Sequence, residues 1–137
     1  MSTRILEFLK GRFGDVILAT NDYRGDDTAV VPRESIADVL LYLRDEPALL
    51  LDLPTDMTAV DWPERNPRFD VVYHLYSTTH KPRVRIKAAV PADDPTIATA
   101  TGLYPGTRWF EREIWDMYGI RFAGHADLRR MFMYEEF

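Results

Sequence analysis

The sequence predicts an α+β fold of two layers, in which helices pack on one face of a mixed, mostly antiparallel sheet. Segments with the two-residue hydrophobic period of strands are interspersed with segments that have a helical period. A protein of 137 residues can bury a core of its own. Neither an internal repeat nor a low-complexity linker divides residues 1–137, so we expect a single domain.

A helix followed by a hairpin is predicted at the start of the chain. Helical spacing extends from Ser2, which can cap the helix, to Gly14, which can end it. The sequences DVILAT, at residues 15–20, and TAVVP, at residues 28–32, predict two strands. The sequence NDYRGDD between them is typical of a turn, so the two strands are expected to pair.

A second helix and two further strands are expected next. The helical period of residues 33–46 ends at Pro47, which cannot continue a helix. The apolar run ALLLDL, at residues 48–53, predicts a buried strand. After a polar bend, TAVDW at residues 58–62 predicts another strand.

The clearest strand pattern is RFDVVYHLYSTTHKPRVRIKAAV, at residues 68–90. Two adjacent strands joined by the turn THKP are the simplest arrangement. One face is expected to carry Phe69, Val71, Tyr73 and Leu75 on the first strand and Val84, Ile86, Ala88 and Val90 on the second. The opposite face of the second strand carries Arg83, Arg85 and Lys87, which meet either water or an acidic neighbour.

A third helix is predicted over residues 108–118, with Thr107 as its cap and Gly119 as its end. Helical geometry divides its residues among three faces. Glu113 and Asp116 share a face with Trp109, Glu111 shares one with Trp115 and Tyr118, and the apolar stripe expected to face the core consists of Phe110, Ile114 and Met117.

Composition excludes several classes of function. The formal net charge of −5 argues against a general affinity for nucleic acid or anionic lipid. Since there is no cysteine, no disulfide, thiolate metal site or iron–sulfur ligand set can form in this chain. No segment has the ~18 consecutive apolar residues of a membrane span, and the first residues do not resemble a signal peptide.

Two local patterns suggest chemistry that the rest of the sequence does not support. GRFG, at residues 11–14, has the form of the loop with which KH domains bind a nucleic-acid backbone, but a helix end followed by a turn explains it better. His125 and Asp127 offer two metal ligands, so a free-standing metal-dependent hydrolase is one alternative function. Because two ligands in a loop make a weak site, we assign no metal and expect His125 to be a hydrogen-bonding loop residue.

Acidic, basic and aromatic residues are concentrated between residues 108 and 130. Glu111, Glu113 and Asp116 are accompanied by arginines such as Arg112. A guanidinium group lowers the pKa of a carboxyl group beside it, whereas an acid catalyst needs a raised pKa. Trp, Tyr and Arg are the residues that anchor protein interfaces. We therefore assign no catalytic residue and expect this segment to bind a partner protein.

The segment at residues 108–133 also resembles the signature of a known family. WFEREIWDMYGIRFAGHADLRRMFM is similar to the thirty-kilodalton subunit family of respiratory complex I. The matching positions are Glu111, Arg112, Glu113, Asp116, Gly119, Ile120, Gly124, His125, Leu128, Arg129 and Arg130.

The resemblance implies a subunit in the hydrophilic arm of a proton-pumping NADH:quinone oxidoreductase, at the cytoplasmic face of the bacterial inner membrane. It implies that this chain binds no cofactor, that flavin and iron–sulfur clusters belong to partner subunits, and that the chain docks on the large subunit of the quinone site. The signature and interface residues are then Trp109, Glu111, Arg112, Glu113, Trp115, Asp116, Tyr118, Gly119, His125, Asp127, Arg129 and Arg130.

Two departures from the family affect the expected docking contacts. Phe132 occupies a position where a smaller aliphatic residue is usual. The sequence stops at Phe137, so the C-terminal tail usual in relatives is expected to be absent. Similar domains also occur in membrane-bound hydrogenase and formate hydrogenlyase assemblies, which are the nearest alternative.

Overall fold

The computed structural model describes residues 3–23 and 26–125. Its helices and strands are α1 Thr3–Phe13, β1 Ala19–Tyr23, β2 Asp26–Pro32, α2 Ile36–Asp45, β3 Leu53–Asp61, β4 Phe69–Tyr76, β5 Arg83–Val90, β6 Thr96–Ala98, α3 Thr107–Tyr118 and β7 Arg121–Ala123. Short 3-10 helices at Gly14–Val16 and Arg33–Ser35 precede β1 and α2. No helix in this part of the protein is long and apolar enough to cross a membrane.

Five strands form one sheet in the order β1-β2-β5-β4-β3. Neighbouring strands are antiparallel except for β2 and β5. These two are parallel because α2, β3 and β4 form a long crossover connection between them, as a parallel pair requires. The strands β6 and β7 form a separate parallel pair. The prediction of an α+β fold with a mixed, mostly antiparallel sheet is confirmed.

The core lies between the helices and one face of the large sheet. Side chains of all three helices, such as Leu9, Leu43 and Ile114, pack into one cluster with the strands. The β4–β5 hairpin is confirmed, with Tyr73 opposite Ile86. All eight side chains predicted to point inward from this hairpin are buried. The two-residue period identified them because every second side chain of a strand lies on the same face.

The predicted N-terminal hairpin is present, but its boundaries differ. A strand over residues 15–20 is wrong, because Gly14–Val16 forms a 3-10 helix. The strands β1 and β2 instead continue through most of the expected turn, where Asp22 lies opposite Asp27. The polar composition of residues 21–27 made the predicted turn too long, because backbone pairing does not depend on side-chain polarity. GRFG lies at the end of α1 and in the 3-10 helix, which agrees with its interpretation as a helix end followed by a turn.

The strand predicted at residues 48–53 is also wrong, because residues 48–52 form a loop before β3 in which Leu49 and Leu51 are buried. The Leu51 amide donates to the Leu43 carbonyl at 2.9 Å and thereby closes the end of α2. The Leu51 carbonyl accepts the Tyr104 hydroxyl at 2.6 Å. These bonds satisfy backbone groups that would otherwise need a neighbouring strand. The polar bend expected next lies within β3, whose later residues include most of the predicted strand 58–62.

Tyr73 is a buried residue of β4 whose hydroxyl has no hydrogen-bond partner among the described residues. Burial raises its pKa well above the ordinary value, and the Glu111 carboxyl adds to the rise. An unsatisfied buried polar group costs about 1–3 kcal/mol. We therefore expect Tyr73→Phe to raise the free energy of unfolding by about 1 kcal/mol in urea denaturation. A lower stability of this variant would mean that the hydroxyl makes a favourable bond.

Candidate functional site

The third helix carries most of the predicted site residues and has the expected extent. Gly106, rather than Thr107, occupies the capping position, and the Thr107 hydroxyl donates to the Tyr104 carbonyl at 2.8 Å. The helix ends at Gly119, whose φ of +73° lies in the left-handed region that favours glycine. The place of Gly119 in the signature therefore has a structural cause.

The buried face of α3 differs from the prediction at two residues. Met117, predicted to face the core, has 73% of its surface exposed, whereas Glu111, predicted on an interface, has 0% exposed. Thr107 and Ile114 are buried together with Glu111. Helical spacing fixes the angles between side chains, but it does not decide which face packs on the sheet. That choice follows from the position of α3 beside the edge strand β3.

Glu111 joins α3 to the loop that precedes it. Its Oε1 accepts the Thr99 hydroxyl at 2.5 Å, and its Oε2 accepts the Ala100 amide at 2.7 Å. Burial raises the pKa of this carboxyl group, and the two hydrogen bonds and His125 oppose the rise without cancelling it. The prediction that arginine neighbours lower the pKa is therefore wrong for Glu111, because desolvation dominates there.

His125 lies in the same buried region. It is 5% exposed, and its Nε2 is 3.1 Å from the Arg108 carbonyl oxygen and 3.9 Å from Oε1 of Glu111. The prediction of a hydrogen-bonding loop residue is confirmed. Within residues 3–23 and 26–125 no group of three His, Cys, Asp or Glu side chains is placed to hold a metal ion. The predicted residues Asp127, Arg129 and Arg130, and the unusual Phe132, lie outside the described residues.

The remaining predicted residues of α3 divide between its outer face and the core. Exposed are Trp109, Glu113 and Asp116, and half-buried are Arg112, Trp115 and Tyr118. The Arg112 guanidinium lies 5.3 Å from the centre of a Trp109 ring, a cation–π contact that orients the indole. At the other end of the helix, the Tyr118 ring meets Phe69 edge-on at 6.2 Å. Arg108 is also exposed, so the outer face combines aromatic side chains with charges of both signs.

Several exposed hydrophobic side chains lie on β3, directly after it and on α3, the helix that packs against β3. Among the described residues, seven large hydrophobic side chains are exposed. Five of them lie on β3, directly after it or on α3: Leu53, Val60, Trp62, Trp109 and Met117. We call these five residues the β3–α3 surface. Sequence analysis missed its β3 part because alternation in a strand does not reveal that the strand lies at the edge of the sheet.

Arginine pairs fix the hairpin loop that carries Trp62. Arg65 lies 2.6 Å from the Asp70 carboxylate, and Arg68 lies 2.6 Å from the Asp61 carboxylate. The Trp62 indole donates to Asp70 at 3.2 Å, and its ring also contacts the Arg65 guanidinium. The indole is 47% exposed yet held in one orientation. A side chain that is already ordered loses less entropy when it binds a partner.

The basic row predicted on β5 is only partly neutralised within the protein. Arg83 lies 3.3 Å from Asp26, and Arg85 donates to the Thr28 hydroxyl at 3.2 Å. Neither Arg85 nor Lys87 forms an ion pair with another described residue. Of the two predicted alternatives, an acidic neighbour is found for Arg83, which pairs with Asp26.

Fold and site together define a class of protein. The buried polar residues Glu111 and His125 hold segments of the backbone to one another, and two tryptophans are exposed, one directly after β3 and one on α3. Clustered exposed hydrophobic residues mark surfaces that bind other proteins. The class is therefore a small α+β domain that assembles with other proteins.

Comparison with known proteins identifies the family. The family model described as respiratory-chain NADH dehydrogenase, 30 Kd subunit, matches residues 29–137, and the chain belongs to this family. It is 45% identical over 126 residues to the second C-type subunit of the NADH-quinone oxidoreductase of Rhizobium etli (strain CIAT 652), covering 92% of this chain and 67% of the relative. It is 42% identical over 132 residues to the C-type subunit of the same enzyme in Roseiflexus sp. (strain RS-1), covering 96% and 76%. The predicted family is confirmed.

Solved structures show the same fold. The trypsin-resistant fragment (1-134) of Nqo5 superposes with a TM-score of 0.75 at 28% identity, covering 90% of this chain and 96% of the fragment. One protein of the membrane-bound sulfane sulfur reductase, an archaeal respiratory membrane complex, also gives a TM-score of 0.75, at 24% identity over 89% of this chain and 70% of its own length. This second likeness shows a shared fold only.

Proposed function

We propose that this chain is an architectural subunit of the hydrophilic arm of a proton-translocating NADH:quinone oxidoreductase, with no catalytic residue of its own. The observation that carries the proposal is the β3–α3 surface, which exposes two of the three tryptophans of the sequence. Exposed, ordered aromatic residues supply a large part of the energy of protein binding. Relatives at 42–45% identity are named as C-type subunits of NADH-quinone oxidoreductase, which supports the assignment.

The partner that we propose for this surface is the large subunit of the quinone site. Arg108, Glu113 and Asp116 are exposed near Trp109 on α3, so a complementary partner surface would combine apolar pockets with charged residues of both signs. Flavin and iron–sulfur clusters belong in this proposal to other subunits, and this chain holds no redox group. In this proposal the complex lies at the cytoplasmic face of the bacterial inner membrane, and this subunit is attached to it through its partners.

Two other functions receive less support. The equivalent subunit of a membrane-bound hydrogenase or formate hydrogenlyase would use the same fold, but the relatives quoted above carry the name of the NADH-quinone oxidoreductase. A metal-dependent hydrolase using His125 and Asp127 is disfavoured because His125 is buried and its Nε2 lies against the Arg108 carbonyl.

A double variant that truncates the two exposed hydrophobic side chains of α3, Trp109 and Met117, tests the proposal. We expect Trp109→Ser combined with Met117→Ser to lower recovery of the complex by about tenfold or more, because truncation of a central aromatic anchor has effects of this size. Recovery is measured by quantitative mass spectrometry of NADH-dehydrogenase subunits that co-purify with the tagged protein from solubilised membranes. The thermal unfolding of the isolated variant should change little, because both side chains are largely exposed.

Leu18→Ser is the matched control, because Leu18 is 62% exposed and precedes β1 at the other side of the sheet. This variant should recover the complex at the level of the native protein. Equal recovery with the control and the double variant would refute the role of the β3–α3 surface. Recovery of a nickel hydrogenase in place of NADH-dehydrogenase subunits would favour the alternative assembly.

A further inference from the structure

We propose that the open face of the large sheet, the side away from the core, binds an acidic helix of another subunit. Two basic side chains of β5, Arg85 and Lys87, contact the carboxylates of that helix. This inference rests on the proposed function, because the partner belongs to the same assembly. It assigns a second binding surface, at the centre of the sheet, in addition to the β3–α3 surface.

The open sheet face is defined by the alternation of side chains along the strands. All three helices contribute to one core cluster, whose strand residues include Tyr73 on β4 and Ile86 on β5. Their neighbours Val72, Arg85 and Lys87 therefore lie on the other side of the sheet. Val72 is 4% exposed although it is not a member of the core cluster. The open sheet face thus has a small apolar centre of its own.

Lys87 lies in this apolar centre. The strand register places it opposite Val72 on β4 and opposite Val30 on β2, so neither neighbour across the strands offers a charge. The lysine side chain is half-buried. Lysine at such a position lays its methylene groups along apolar surface and keeps the ammonium group accessible. The ammonium group is therefore available to a carboxylate from outside.

Arg85 adds a second positive charge in the adjacent row, between His74 of β4 and Thr28 of β2. Its guanidinium donates to the Thr28 hydroxyl at 3.2 Å, a neutral acceptor that does not compensate the charge. Burial lowers the pKa of His74, and the charges of Arg85 and Lys87 lower it further against the opposing effect of Asp56. The centre of this face is therefore positive, although the formal net charge of the chain is −5.

The carboxylates on the same face do not neutralise these two cations. Asp26 pairs with Arg83 at 3.3 Å, and Asp70 pairs with Arg65 at 2.6 Å. Asp56 lies on β3, with β4 between it and β5. A carboxylate supplied by a partner would form charge-assisted hydrogen bonds with both cations, which are stronger than bonds between neutral groups.

The spacing of the two cations fits a helix. Arg85 and Lys87 are two residues apart on one strand, so their Cα atoms lie about 7 Å apart. Carboxylates three or four residues apart on a helix lie about 5–6 Å apart on one face, so each can reach one cation. A helix is also the element that covers a second sheet face in layered α/β folds. Apolar residues beside the carboxylates should contact Val30 and Val72.

Protein carboxylates are favoured over other anions. The net charge of −5 repels nucleic acid and anionic lipid, which require an extended basic surface. Two cations beside valine side chains form a small mixed patch instead. Such a patch matches a helix face on which acidic and apolar residues alternate.

Lysine footprinting tests whether the open sheet face is covered, because the sequence contains only three lysines, Lys10, Lys81 and Lys87. The full chain alone and the purified complex are acetylated with N-hydroxysuccinimidyl acetate and analysed by mass spectrometry. Acetylation of Lys87 should be about tenfold or more slower in the complex, because a carboxylate partner favours the charged, unreactive form of the amine. Lys81, exposed in the turn between β4 and β5, is the reference. Equal reactivity of Lys87 in both samples would overturn the inference.

Carbodiimide cross-linking tests the chemistry of the partner, because the reagent joins a lysine amine to a carboxylate in direct contact. In the purified complex, Lys87 should be linked to an aspartate or glutamate of another subunit. Protection of Lys87 without such a link would mean that a surface without acids covers the face, and the inference would be wrong. A link to Glu135 or Glu136, which lie outside the described residues, would show that the chain supplies its own acids, which also overturns it.

Charge reversal provides a third measurement. Lys87→Glu should lower recovery of the complex about tenfold or more, because it sets a like charge against the partner's carboxylates. Lys81→Glu makes the same change of charge at an exposed turn position and should recover the complex at the native level. Equal recovery of the two variants would contradict the inference. If Lys87→Glu does not fold, footprinting and cross-linking of the native protein decide the question.

The proposed function and this inference can fail separately. A chain that joins no complex would refute both. A complex that forms while Lys87 stays fully reactive would refute only the binding of an acidic helix. Binding of the isolated chain to vesicles of phosphatidylserine, lost in Lys87→Glu, would assign the two cations to a lipid surface and would likewise overturn the inference.

Discussion

Replacing Glu111 with alanine is expected to lower the free energy of unfolding by about 3 kcal/mol. The carboxylate accepts the Thr99 hydroxyl and the Ala100 amide, and the Ala100 bond is buried. Alanine leaves the buried Ala100 amide without its acceptor, which costs about 1–3 kcal/mol, and also removes the partly buried bond from Thr99. The truncated side chain also leaves a cavity beside the core, which adds to the loss.

The matched control for this variant is Glu113→Ala. Glu113 lies on the same helix two residues away, but it is exposed, so its replacement should change the stability by less than about 0.5 kcal/mol. Urea denaturation followed by circular dichroism measures both variants. A loss of similar size in both would mean that the buried hydrogen bonds contribute nothing.

The pH dependence of stability gives Glu111 a second signature. Burial raises its folded pKa above the ordinary value of 4.5. The folded state then binds a proton more readily than the unfolded state. The stabilising contribution is therefore full below the unfolded pKa and is lost as the pH rises through the folded value. Glu111→Gln cannot titrate, so the stability of the native protein relative to this variant should fall as the pH rises above about 4.5.

Gly124→Ala is the second variant expected to have a large effect, lowering the free energy of unfolding by about 2–3 kcal/mol. Gly124 has a φ of +93°, a conformation that residues with a side chain rarely adopt. An added Cβ would also lie 3.1 Å from Cγ2 of Thr99. Because the Thr99 hydroxyl donates to Glu111, displacing Thr99 weakens the same buried network.

Gly119→Ala separates the backbone cost from the steric cost. Gly119 also has a positive φ, +73°, but no described atom lies within 4 Å of an added Cβ. Its replacement should therefore cost only the backbone term of about 1–2 kcal/mol. Denaturation curves of the two variants are compared under the same conditions. A Gly119 variant as unstable as the Gly124 variant would show that the contact with Thr99 is relieved at no cost.

Local regularities in the sequence predicted the parts of the fold that depend on them. The β4–β5 hairpin followed from a two-residue period, and α3 followed from helical spacing ended by Gly119. The strand prediction at residues 48–53 was wrong because it rested on apolar composition, and composition does not show whether a backbone segment pairs with a neighbouring strand. There the Leu51 backbone bonds to α2 and to Tyr104 instead of to a strand.

For the candidate site, the sequence by itself determined the family, because many residues between residues 108 and 133 match one family signature in the same order. It could not determine which residues of that signature face the partner. Only the tertiary structure shows that Glu111 and His125 are buried, that Met117 is exposed, and that β3 lies at the edge of the sheet beside α3. The physical reason is that exposure depends on what packs against each element, and those neighbours lie far away in the sequence.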